Sequence, residues 1–310
     1  MAFAPASARV RNNMKKGLLT RAQFLAAMLV FGSIAVFVRS IPLRSAEVAL
    51  FRAYLAIVAI GIVLLLKKTN PVRGVNVKSL LLLLFSGAAM GFNWILLFEA
   101  YRYTTTSIAT LCYYFAPVLV TVLCPFLFRE KMTLKQGVCF TLSTLGVVLI
   151  VGVSGAGGGN HLTGVLFALG AAVLYATVVL LNKGIRGVNG IPRTFLQFCA
   201  AALVLTPYVV LTGGFEIGSI TGAGLGFLLT VGILHSGIAY CLYFSALHRM
   251  RGQEAALLSY IDPLLAVLLS VTLLGEPLSL TQILGGVLIL GFSLLNEIEW
   301  KKKGRNAAQN

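Results

Sequence analysis

The chain has 310 residues, of which 58% are hydrophobic and only 11% charged, and its mean hydropathy is +0.91. Soluble domains run nearer a quarter charged, so this balance excludes an ordinary soluble fold. The net charge of +16 raises the question of nucleic acid, which only the placement of the basic residues can answer.

Apolar runs long enough to cross about 30 Å of hydrocarbon as helices follow one another from the start. They fall near 18–39, 45–66, 78–100, 104–128, 133–152, 162–183, 193–213, 220–246, 253–274 and 278–299. The segment before the first run holds Arg9, Arg11, Lys15 and Lys16, like a signal peptide's basic region. The run itself is too long and lacks a small-residue cleavage site, so it reads as an uncleaved helix. Turn signals mark the breaks: Ile41-Pro42, Thr69-Asn70-Pro71, Asn189-Gly190-Ile191-Pro192, Gly213-Gly214 and Gly275-Glu276-Pro277. The glycine run from 155 to 159 is the natural midpoint linker. The expected organisation is a cytoplasmic segment 1–17, a first five-helix unit 18–152, a linker 153–161, a second five-helix unit 162–299 and a basic tail 300–310.

Short cytoplasmic loops are enriched in Lys and Arg. With the N-terminus inside, 21 of the 25 basic residues lie on the cytoplasmic side, leaving Arg39, Arg44 and Arg102 outside and Arg52 within the second helix. Both termini are thus expected in the cytoplasm. The basic residues form a fringe rather than a groove, which removes nucleic acid as a partner. Cys112, Cys124, Cys139, Cys199 and Cys241 sit inside apolar runs and show no metal-ligand spacing; they read as small hydrophobes.

The chain matches itself at an offset of 146 residues from Gly91/Gly237 to Gln136/Gln282, with Pro117/Pro263 and Glu130/Glu276 among the identities. Upstream the match is weaker, with Arg52 opposite Gln197 and Phe31-Gly32-Ser33 near Tyr175-Ala176-Thr177. Five helices per copy force the second copy to enter from the other side, giving an inverted repeat about an axis in the membrane plane. The fold expected is an all-α integral membrane protein of ten transmembrane helices in two inverted five-helix repeats.

A proline followed 13 residues later by glutamate and then glutamine, once per half, together with Gly275-Glu276-Pro277-Leu278 and Gly285-Gly286, resembles the drug/metabolite transporter superfamily of EamA type. Phe31 stands where that family often has tryptophan, and Arg129 precedes Glu130 where glycine is usual. The resemblance implies a central cavity lined mainly by helices 1, 3, 4, 6, 8 and 9, and secondary active transport of small metabolites by alternating access at the plasma membrane. Amino acids or related solutes, exported, are the expected cargo, with an organic cation or drug as the alternative. No nucleotide motif or cofactor is expected. The partners are a small-molecule solute and the bilayer, with proton or solute antiport and a homodimer also compatible.

Polar groups at the midplane are costly and call for a reason. Asp262 lies about ten residues, or roughly 15 Å, into the ninth helix, beside Pro263, and His235 is at similar depth in the eighth. These two are the candidate coupling residues. Asn93, Trp94, Tyr113, Tyr114, Tyr175, Tyr240, Tyr243 and Tyr260 are the candidate substrate contacts, since aromatic faces bind flat apolar or cationic solutes. A bland reading stands beside each: an interhelical hydrogen bond for His235, a protonated helix residue for Asp262, packing or an interfacial belt for the aromatics. Glu47 and Arg52, five apart and too far round for an ideal contact, read as a structural ion pair or helix-end anchor, a reading that an anionic substrate would invert. Glu130 and Glu276 read as caps, and Gly87/Gly91 and Gly222/Gly226 as close-packing pairs. A membrane enzyme or a receptor is disfavoured by the absence of clustered catalytic groups and of extramembrane domains.

Overall fold

The computed structural model describes residues 6–128, 132–154 and 159–298 and contains only helices among them. Ten are long and apolar enough to cross a membrane: α1 (Gly17–Arg39), α2 (Ser45–Leu66), α3 (Val77–Tyr103), α4 (Thr106–Cys124), α5 (Leu134–Val151), α6 (His161–Gly184), α7 (Gly190–Leu211), α8 (Gly222–Leu247), α9 (Glu254–Thr272) and α10 (Leu280–Glu297). Glu130, the centre of the glycine linker and the basic tail lie outside the described residues.

Local chemistry sets the helix starts. Asn76 accepts from the Ser79 amide at 2.8 Å at the head of α3, and Thr221 accepts from the Gly224 amide at 3.1 Å at the head of α8. Gln136 and Gln282, matched in the repeat, act alike. Each reaches back to the amide of Thr133 or Ser279, whose hydroxyls accept from the glutamine amides. Both α5 and α10 therefore begin with a capping box.

The contacts mirror one another between halves. α3 packs on α6 and α7, while α8 packs on α1 and α2; α4 lies on α6 as α9 lies on α1; and α5 pairs with α10. Small residues permit the close crossings. A Cβ on Gly146 would meet the Gly285 carbonyl, and one on Gly32 would meet that of Asp262.

The small-residue pairs need one correction. Gly87 and Gly91 do abut α7, but a Cβ at Gly222 or Gly226 would meet nothing within 4 Å. The α8 glycines that pack on α2 are Gly232, against Leu55, and Gly237, against Ala59, while Gly224 at the helix start meets Pro42. Their spacing is five rather than four because the backbone from Thr230 to Ile238 is a π-helix. The caps Asn76 and Thr221 stand 145 apart, whereas Gly91 and Gly237 stand 146 apart. The second copy thus holds one additional residue between cap and glycine, which a π turn accommodates without breaking the helix.

Candidate functional site

Two helices are interrupted halfway across. α4 is helical over Thr106–Tyr113 and again from Ala116, and α9 over Gly252–Ser259 and again from Ile261. The turn residues are repeat partners with nearly the same backbone, Tyr114 at φ −71°, ψ 4° and Tyr260 at φ −74°, ψ −6°. Pro117 and Pro263, three residues on, have no N–H to give the carbonyl four back, so the ladder opens at this level. Unwound backbone at such a depth is tolerated where it lines a cavity or is enclosed by protein.

The breaks gather aromatic rings around a carboxyl group. Tyr114 donates its hydroxyl to Asp262 Oδ2 at 2.6 Å, and Tyr113 donates to Asn93 Oδ1 at 3.4 Å. Asn93 in turn donates to the Ala171 carbonyl at 2.6 Å, fixing α3 to α6. Ring centroids of Tyr113 and Tyr175 are 5.5 Å apart, those of Tyr113 and Tyr114 6.1 Å, and those of Tyr114 and Tyr260 6.3 Å. Phe31 joins Tyr240 at 5.1 Å and Tyr243 at 6.0 Å. Tyr175 keeps 41% of its surface accessible, and Asp262, Tyr113, Tyr114, Tyr240 and Tyr243 are half-buried. The tyrosine rings pack on one another and on Phe31 between the helices. Asn93, Trp94 and Tyr260 are buried beside them.

His235 has a different setting. It is fully buried, its ring stands 4.9 Å from Phe37, and its nitrogens face Ser33 Oγ at 3.1 Å and the Thr230 carbonyl at 3.2 Å. It ties α8 to α1, the role an interhelical hydrogen-bonder plays.

The ion-pair reading of Glu47 and Arg52 is overturned. Glu47 accepts from Arg44 Nε at 3.2 Å and from the Glu216 amide at 2.6 Å, pinning the start of α2 to the segment after α7. Arg52 instead donates Nε to Ser236 Oγ at 2.6 Å and lays its guanidinium 4.4 Å from the Trp94 ring. Five residues along a helix turn Glu47 away from Arg52, and the π turn presents Ser236 in its place. Glu276 does act at a helix start, accepting from the Thr106 amide at 2.8 Å; it also pairs with Arg39, whose Nε donates to the Tyr101 carbonyl at 2.8 Å. This cluster ties together the ends of α1, α3 and α9 and the start of α4. Beside it a cleft of about 480 Å³ is lined by Arg39, Arg44, Arg102, Phe98, Tyr101 and Glu216, among others.

Phe98, Tyr101, Ser236 and Arg44 are neighbours of the site that the sequence did not single out. Among the described residues no group of three or more His, Cys, Asp or Glu is placed to hold a metal.

Ten apolar helices around a half-open aromatic interior define a multi-pass membrane protein of the transporter class. The profile of the EamA-like transporter family matches residues 19–152 and again 162–296. The chain belongs to that family, within the drug/metabolite transporter superfamily. It is similar to the uncharacterized transporter YxxF of Bacillus subtilis, 29% identical over 91% of each chain. Protein PecM of Dickeya dadantii is 27% identical over 79% of this chain and 81% of its own. The threonine/homoserine exporter RhtA of Escherichia coli is 25% identical over 72% and 73%. A solved crystal structure, 19% identical, shares the fold at a TM-score of 0.59, covering 88% of this chain and 96% of the other.

Proposed function

We propose that the protein is a secondary active exporter of amino acids or related small metabolites, working by alternating access in the cell membrane with both termini cytoplasmic. The observation that carries this reading is the pair of broken helices, α4 and α9, whose repeat-related turns at Tyr114 and Tyr260 meet around Asp262. Broken helices at the interface of two copies are where such transporters build solute sites. Two five-helix units, 18–152 and 162–299, joined by the glycine-rich segment, give the second unit the opposite orientation. The mirrored contacts of α3 with α7 and α8 with α2 support that relation. The basic fringe supports the orientation, and the likeness to RhtA supports amino-acid cargo and export.

Asp262 is the group in this reading that exchanges a proton or a cationic cargo, because its two protonation states favour different hydration and so different access. Enclosure of an acidic group by tyrosine faces also favours the second reading, an organic-cation or drug transporter of the same fold. Purified protein in proteoliposomes preloaded with unlabelled threonine, homoserine or tetraethylammonium separates the two. The primary reading expects accumulation of labelled amino acid by exchange; exchange of tetraethylammonium alone would replace it with the second.

A further inference from the structure

Arg52 is a charge without a countercharge. It is 5% exposed, in mid-helix, and no Asp or Glu lies within 4 Å of it among the described residues. Only Nε has a hydrogen-bond partner, Ser236. Nη1 and Nη2 donate to no described residue and are not among the sealed polar atoms that lack partners, so they border open space. A buried guanidinium is costly unless something compensates it. The Trp94 face at 4.4 Å and Phe98 at 5.8 Å supply part. The planar fork they hold is shaped for two parallel bonds to a carboxylate.

The opposite charge stands across the same set of rings. Asp262 Oδ2 accepts from Tyr114, while Oδ1 has neither a described partner nor a place among the sealed atoms. Tyr101 and Tyr240 lie within the electrostatic reach of both Arg52 and Asp262. Arg52 lies about 10 Å from the head of α2 and Asp262 about 15 Å from the tail of α9, at 1.5 Å per residue. Those ends are on one side, since Arg39 at the end of α1 pairs with Glu276 just past α9. The two charges are therefore within about one helical turn in height, bridged by Trp94 next to Asn93, then Tyr113 and Tyr114. They remain unpaired with each other.

We propose that Arg52 and Asp262 are the two poles of one site for a zwitterion: Arg52 Nη1 and Nη2 take the α-carboxylate of an amino acid, and Asp262 takes its ammonium group. The proposal rests on the reading of the protein as an amino-acid exporter and adds to it the group that recognises the carboxylate. Separation of the poles by aromatic faces keeps each desolvated yet prevents an internal salt bridge from neutralising the site.

The test is solute competition in proteoliposomes. Exchange of the twenty standard L-amino acids identifies the best substrate, whose methyl ester and N-acetyl form then compete against it in the wild type, Arg52→Gln, Arg52→Lys and Asp262→Asn. In the wild type both derivatives should compete about thirtyfold or more weakly than the parent, the loss expected when one partner of an enclosed charge pair is removed. Arg52→Gln should no longer distinguish the parent from its ester, and Asp262→Asn should no longer distinguish it from the N-acetyl form. Arg52→Lys, which keeps charge without the fork, should fall between. Monodispersity in detergent checks folding, and Arg52→Lys serves should Arg52→Gln fail to fold. An Arg52→Gln or Arg52→Lys variant that still rejects the ester to the wild-type degree would overturn the proposal while leaving amino-acid export standing. Failure of every amino acid to exchange in the wild type would overturn both.

Discussion

The third helix of each half starts from the same plan and ends differently. α3 is a regular helix whose glycines, Gly87 and Gly91, sit four apart against α7, and it contributes Asn93 and Trp94. α8 spreads the matching glycines to five apart, Gly232 and Gly237, through a π segment, and it contributes His235 and Ser236. One added residue rotates the rest of the helix beyond it, so the glycines keep their contact with α2 while the two polar side chains enter the interior. Their partners differ accordingly. Gln197, which stands opposite Arg52 in the repeat, is satisfied by Ser86 at 2.5 Å and Asn182 at 2.9 Å, whereas Arg52 has Ser236 alone. Of these two repeat-related crossings between the halves, one encloses a finished hydrogen-bond network and the other holds an unfinished one beside the broken helices. The asymmetry separates scaffold from site within a duplicated fold.

Removing the added residue is the severest way to break the comparison. A chain lacking Leu234, which faces outward, would restore the four-residue glycine spacing and make α8 resemble α3. Insertion and folding should survive, but Ser236 and His235 should lose Arg52 and Ser33, and amino-acid exchange should fall by about two orders of magnitude, a loss of roughly 3 kcal/mol in solute binding and orientation. Exchange at the wild-type rate would leave the π turn without a role.

The glycine contacts should sort by what a side chain would meet. A Cβ on Gly87 meets Ala200 together with the carbonyl of Gln197, and one on Gly232 meets Leu55 at its Cβ, and none of these atoms can yield without moving backbone. Gly87→Val and Gly232→Val should therefore each cost about 3 kcal/mol, read from unfolding in a common detergent. Gly226→Ala, on the open face of α8, should raise stability by about 0.5–1 kcal/mol. A penalty at one of Gly87 and Gly232 without the other would undo the correspondence drawn between them.

The ten helices were legible because each must bury its backbone bonds in an unbroken apolar run, and the repeat because Pro117/Pro263 and Gln136/Gln282 are rare types with local roles, opening a helix and closing a capping box. Asn93, Tyr113, Tyr114 and Asp262 could be placed by depth alone. The features that were not legible depend on rotation about the helix axis. Gly222 and Gly226 have the expected spacing yet face away, and Gly232 and Gly237 do the packing at a spacing that no α-helical periodicity suggests. The same turn hides the pairing of Arg52 with Ser236. The choice of Arg44 rather than Arg52 by Glu47 is set by the i,i+3 relation at the helix start and by the Glu216 amide from a distant segment.

The measurement that tests the central claim most directly is the pH dependence of amino-acid exchange by Asp262→Asn in proteoliposomes, beside the wild type. Asparagine keeps the shape and the bond from Tyr114 but removes titration. The account predicts a slower exchange whose rate no longer follows pH as the wild type's does, from a protein that remains folded and inserted. Exchange at the wild-type rate with unchanged pH dependence would show that Asp262 is structural and would contradict the account.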